Sequence, residues 1–181
     1  MKTKFFIAFI VLASLFSSCK DEKDVDSLEV VTPEAVDTGY KVTVNVIVKK
    51  DDDFSLFYNE DNTIDFTKID AMWQGVKGSE SEQPVTFNLP VEVVPTQLRL
   101  DFGMKQDQED IILRSVVIEH KGKKEIITGP LLKNCFVADA SKCTFDGDTG
   151  VIKAVVKNGK REFPSLYPQA AALKEVLDRL Y

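Results

Sequence analysis

Lys41-Val42-Thr43-Val44-Asn45-Val46-Ile47-Val48-Lys49 decides the fold. Val42, Val44, Val46 and Val48 fall on one face of an extended chain. Lys41, Thr43, Asn45, Ile47 and Lys49 fall on the other. Period-two alternation rich in β-branched residues marks a strand with one buried face. Downstream, Asp51-Asp52-Asp53 reads as a solvated break, and Phe54 to Tyr58 resumes the strand before the turn cluster Asn59 to Asn62. Met72 to Val76 is a further strand, Ser79 to Gln83 a polar loop, and Pro84 to Leu89 a strand stopped by Pro90. Thr96 to Phe102 places Leu98, Leu100 and Phe102 on one face. Ile111 to His120 is the longest run, turning at Lys121-Gly122-Lys123 into Lys124 to Thr128. Val151 to Lys157 precedes Asn158-Gly159, a turn-favouring pair.

About eight short strands with no helical period between them predict an all-β domain, an antiparallel β-sandwich or jelly roll. A single segment, Pro168 to Tyr181, reads as helix. Ala172, Val176 and Leu180, with Leu173 and Leu177, form an apolar stripe at helical spacing, and Pro168 suits a first turn. So short a helix is marginal alone and is expected either to dock on the sandwich or to be a frayed tail.

The N-terminus reads as an address. Lys2 and Lys4 precede Phe5 to Phe16, which is apolar apart from Ser14. An apolar run of about 11 residues is too short to cross a bilayer core of about 30 Å. Small residues at the end of such a run are what a signal peptidase accepts. Leu15-Phe16-Ser17-Ser18-Cys19 resembles a bacterial lipobox. The resemblance implies a signal peptide over 1–18 and a Cys19 carrying diacylglyceryl and, as a rule, a third amide-linked acyl chain of the palmitate kind. Several acyl chains anchor stably where one is marginal. Lys20-Asp21-Glu22 resembles the export signal of surface lipoproteins in Bacteroidota. The expected organisation is an acidic flexible tether over 19–39, a sandwich over 40–167 and a helix over 168–181. The expected location is the outer membrane, lipid-anchored and exposed at the cell surface, with its periplasmic face as the alternative.

The charge argues against a nucleic-acid partner. Without the first 19 residues, 21 Lys and Arg stand against 29 Asp and Glu, a net charge of about −8. Nucleic-acid partners need a basic footprint instead. One His in 181 residues argues against a His-rich metal centre. His120, at a strand end before a basic turn, reads as exposed.

Cys135 and Cys143 are an even pair in an exported chain and a possible disulfide, the alternative being two buried thiols. A loop of nine residues would gain about 2–3 kcal/mol from closure. Asp146-Gly147-Asp148-Thr149-Gly150 spaces two acids as calcium loops do, although it lacks the remaining ligands of an EF-hand and is also an ordinary turn. Structural calcium at Asp146 and Asp148 is therefore an open possibility, and no other cofactor is expected.

There is no G-x-S-x-G, phosphate-cradling glycine loop or H-E-x-x-H. Nothing in the spacing pairs Cys135 or Cys143 with His120. Carboxylate pairs are too plentiful among 29 acids to signal a glycosidase.

Four motifs occur in order: Tyr58-Asn59-Glu60-Asp61, Trp73-Gln74-Gly75-Val76-Lys77-Gly78, Phe87-Asn88-Leu89-Pro90 and Leu98-Arg99-Leu100-Asp101-Phe102-Gly103. Together they resemble galactose-binding-like, carbohydrate-binding jelly-roll modules of Bacteroidota, over about Tyr40 to Lys157. The resemblance implies non-catalytic binding of glycans or surface polymers. Sugars stack their C–H faces on aromatic rings and hydrogen-bond to planar polar side chains. Trp73, Tyr58, Arg99, Asp101 and Gln108 are residues of that kind. Arg99 and Asp101 share one strand face, where they either line a concave sheet or pair with neighbours. Trp73 follows Met72, so a core or rim position competes with a stacking platform. A lipoprotein that binds another envelope protein is the alternative function, and a hydrolase on a jelly-roll scaffold a minor one.

Overall fold

Alternation in the sequence becomes two antiparallel sheets in the computed structural model, which describes residues 39–181. The readings for the signal peptide, for Cys19 and for all of the tether but Gly39 lie outside those residues. The first sheet runs in the order β4 (Ser79–Asn88), β1 (Lys41–Val48), β6 (Ile111–His120), β10 (Val151–Ala154) and β9 (Cys143–Asp146). In it β7 (Lys123–Thr128) also pairs with β6. The second sheet runs β3 (Met72–Val76), β2 (Asp52–Asn59), β5 (Gln97–Phe102), β13 (Ser165–Pro168) and β8 (Phe136–Ala138). A small hairpin joins β11 (Val156–Lys157) to β12 (Lys160–Arg161). Two helices complete the described part, α1 (Pro130–Cys135) and α2 (Ala170–Asp178).

The core lies between the inner faces of the two sheets. Val42, Val44, Val46 and Val48 are all buried, as their alternation requires. They share one apolar cluster with Phe54, Leu56, Leu98, Leu100 and Phe102 of the second sheet and with Leu173 and Leu177 of α2. The chain changes sheet between β1 and β2, between β3 and β4, and between β4 and β5, so most pairings are distant in sequence. Pro84 is tolerated inside β4 because that strand is an edge of its sheet.

Several expectations change here. Thirteen strands are present among the described residues, not about eight. The additional ones span two to four residues, too few to display a period. Ser79 to Gln83 is strand rather than loop. It opens β4 and pairs with β1, its polar side chains facing solvent at the sheet edge. Pro168 ends β13 instead of opening the helix, and α2 begins at Ala170. The helix α1 has no counterpart in the sequence reading, since six residues give no helical period. Val151 to Lys157 is split between β10 and β11, and Asn158-Gly159 turns with both residues at positive φ.

His120 is buried, not exposed. Its ring stacks on Tyr40 with centroids 3.9 Å apart and planes within 5°. Cys135 and Cys143 are unbonded, buried thiols on separate elements, α1 and β9, where burial pushes both pKa values up. The protonated thiols behave there as small apolar side chains.

The Asp51 to Asp53 segment is also more ordered than a solvated break. Asp52 is buried, and its carboxylate accepts from the backbone N–H of Asp53, Met104 and Lys105 and from the Gln108 side chain, all within 3.1 Å. This knot fixes the loop after β5. Gly103 makes it possible: φ is +75°, and a Cβ there would lie 2.5 Å from an Asp52 carboxylate oxygen. The same loop is clipped to β12, where Gln106 both donates to the Arg161 carbonyl and accepts from its amide.

Candidate functional site

Strand register brings the outward residues of the second sheet into rows. Ser55 faces Trp73 across β2 and β3 and Asp101 across β2 and β5, and Ser165 continues the row on β13. In the next row Phe57 lies opposite Arg99. Asp101 and Arg99 are two residues apart on one strand, so their side chains share a face.

Arg99 is held on every side. Its guanidinium forms a two-pronged hydrogen-bonded pair with Asp101, with Nε 2.9 Å from one carboxylate oxygen. It also lies 4.5 Å from the Phe57 ring centre and 4.8 Å from that of Tyr167. Phe66 closes the cluster edge-on against both rings. Asn59 positions Phe66 by donating its side-chain amide to the carbonyls of Thr63 and Asp65, which folds the β2–β3 loop back over the sheet. A cation placed between two rings and paired with a carboxylate is a rigid unit.

Beside that unit is a small notch. Asp53, Ser55 and Asp101 provide its polar floor, and Trp73, Met104 and Phe163 its apolar rim. Its volume is about 50 Å³. Trp73 is 55% exposed, so it sits on the surface rather than in the core. Met104 and Phe163 are also exposed. Ser55 is the reverse: it is 2% exposed, and its hydroxyl meets no hydrogen-bond partner. Buried polar groups are nearly always paired, because leaving one unpaired costs about 1–3 kcal/mol. The only other buried side-chain atoms without a partner among the described residues are Gln97 Oε1 and His120 Nδ1. Neither residue is in the notch lining.

The structure therefore divides the five residues singled out for ligand contact. Trp73 and Asp101 meet at the notch, with Arg99 bracing Asp101 from the next row. Tyr58 does not join them. It shares the inner face with Leu56 and Leu98 and packs on the core. Gln108 is buried and used up, donating to the Lys50 carbonyl and to Asp52 and accepting from the Glu109 amide. It shapes the loop that presents Met104 and reaches no solvent-facing ligand. Ser55, Asp53, Met104 and Phe163 are new. Alternation from Phe54 to Tyr58 already puts Ser55 on the outward face, but only the pairing of β2 with β3 and β5 places it under Trp73.

Asp146 and Asp148 are drawn into other roles. Asp146 accepts from the amides of Asp148 and Thr149, which closes the turn, while Asp148 pairs with Lys133 at 2.6 Å. Among the described residues no three His, Cys, Asp or Glu side chains group to hold a metal ion. No helix of the described residues is long and apolar enough to cross a membrane.

The fold and this site define an antiparallel β-sandwich with a shallow, aromatic-rimmed polar notch on one outer face. Comparison with protein-family models, curated protein sequences and solved structures returns no match.

Proposed function

We propose that the chain is an envelope lipoprotein, anchored through Cys19, whose sandwich binds glycans without chemical turnover at the Trp73 notch. One observation carries the binding site: an exposed indole stands directly beside a buried hydroxyl that has no partner within the protein. An aromatic face takes the C–H side of a sugar ring, and acceptor groups next to it take its hydroxyl donors. The lipobox-like Leu15 to Cys19 and the acidic segment after it support the anchor and an outer-membrane, surface-facing location.

Binding rather than catalysis fits the size of the notch, which at about 50 Å³ is too small to enclose a scissile linkage.

Affinity electrophoresis and calorimetry against a panel of neutral and acidic polysaccharides test the proposal. Binding is expected, and Trp73→Ala is expected to weaken it about tenfold while leaving the fold unchanged. Binding undiminished in Trp73→Ala would move the site elsewhere. No glycan binding, together with a stoichiometric envelope-protein partner on co-purification, would replace the proposal with the protein-interaction alternative.

A further inference from the structure

The size and charge of the notch select among sugars. We infer that it takes the exocyclic hydroxymethyl group of a neutral hexose unit while Trp73 carries the ring. This rests on the glycan reading above and adds a ligand class to it.

Size comes first. A hollow of about 50 Å³ cannot admit a pyranose ring, but it holds one short arm, since a water molecule's share of liquid is about 30 Å³. Hydrogen bonding comes next. The Ser55 hydroxyl is buried and lacks a partner. A primary alcohol satisfies it by accepting from the Ser55 O–H, which leaves the alcohol's own single O–H to donate to the carboxylate of Asp53 or Asp101. The methylene of the same arm meets the apolar rim of Met104 and Phe163.

Charge then excludes the acidic counterpart. Asp53 and Asp101 both line the notch, and no lysine does. The Arg99 guanidinium is committed to Asp101 and to two rings. Arg161 is buried and donates to the Gly103 carbonyl. A uronate placed here meets the Asp53 carboxylate, and among the described residues no cation lines the notch to offset it. A pentose lacks the arm and leaves Ser55 unpaired.

The test uses sugar sets that share ring stereochemistry and differ only in the group on C5. Glucose, xylose and glucuronate form one set, and galactose, L-arabinopyranose and galacturonate another, each offered to the full chain as short oligosaccharides in calorimetry. In the set that binds, the hexose is expected to bind about three- to tenfold more tightly than the pentose, the range of one net hydrogen bond, and the uronate most weakly. Ser55→Ala is expected to reduce hexose affinity to the pentose level and leave pentose affinity unchanged. It should not lower Tm, because it deletes a buried hydroxyl that has no partner. Equal binding of hexose and pentose, preference for the uronate, or an unchanged ratio in Ser55→Ala would each overturn the inference and leave glycan binding standing. Binding of none of the sugars would overturn the glycan reading itself.

Discussion

The outer faces of the two sheets carry two very different hollows. That on the first sheet is a broad trough of about 850 Å³, lined by residues that include Lys49, Asp110, Phe145, Asp146 and Lys153. That on the second is the notch of about 50 Å³. Volume alone favours the trough, but its charges are matched from within. Lys49 pairs with Glu109 at 3.2 Å, Lys153 with Asp110 at 3.7 Å, and Asp146 is occupied by backbone amides. The notch has the opposite balance, an exposed indole above an unpaired buried hydroxyl. Empty space records where side chains fail to fill a surface, whereas a buried hydroxyl without a partner is a polar group that the fold itself does not satisfy. The proposed site rests on the second criterion together with the exposed indole beside it.

The widest separation between the two faces is expected in stability. Arg99→Ala strips Asp101 of its partner and two rings of their cation. Both partners are mostly covered, their side chains 13% and 19% exposed. Breaking a fully buried pair costs about 3–5 kcal/mol, so about 1–3 kcal/mol is expected for this partly exposed one. The urea midpoint should fall accordingly. Lys49→Ala in the trough breaks pairs whose side chains are 40–79% exposed and should leave the urea midpoint nearly unchanged. Similar losses in the two variants would erase the contrast.

Ligand affinity should divide the faces in the same direction. Loss of an aromatic platform is expected to weaken glycan binding about tenfold in Trp73→Ala, measured by calorimetry. Phe145→Ala in the trough should leave it within about twofold. The reverse result would transfer the site to the first sheet.

How far the sequence foretold this contrast follows from physical distance along the chain. The four inward valines of β1, the extents of β3 and β6 and the apolar stripe of α2 were legible, because each depends on a period visible within one segment. Trp73, Arg99 and Asp101 were legible as residue types, and the shared face of Arg99 and Asp101 as a consequence of period two. Their meeting with Ser55 was not, since it needs β2 between β3 and β5, and that order is set by sheet crossovers. Tyr58 and Gln108 were misplaced for related reasons. Register turns Tyr58 inward, and a buried Asp52 claims Gln108. His120 stands at the end of a strand next to lysines, and only the partner ring of Tyr40, which is 80 positions away in sequence, explains its burial.

The smallest expected effect is a change of slope, and it tests whether the trough's polar groups serve the fold. The Thr149 hydroxyl, followed by the Asp148 and Thr149 amides, holds the Asp146 carboxyl below the usual carboxylate range. A depressed native pKa means that the unfolded chain binds the proton more readily. The stabilisation is therefore complete above the unfolded value near 3.9 and is lost as pH falls through the native one. Glu125, held down by Arg179, and Asp139, held down by the Ser141 hydroxyl, act in the same direction. Tm of the parent chain should accordingly decline from about pH 5 toward pH 3 at constant ionic strength. Asp146→Asn keeps a side-chain oxygen to accept from the two amides but has no charge to titrate. It should fold at neutral pH with a slightly lower Tm and show a shallower acid slope, with glycan binding unchanged. An acid slope parallel to that of the parent chain would mean that the Asp146 charge contributes nothing to the fold, leaving the carboxylate at the edge of the trough available for a ligand. That outcome would reopen the first sheet as a binding face.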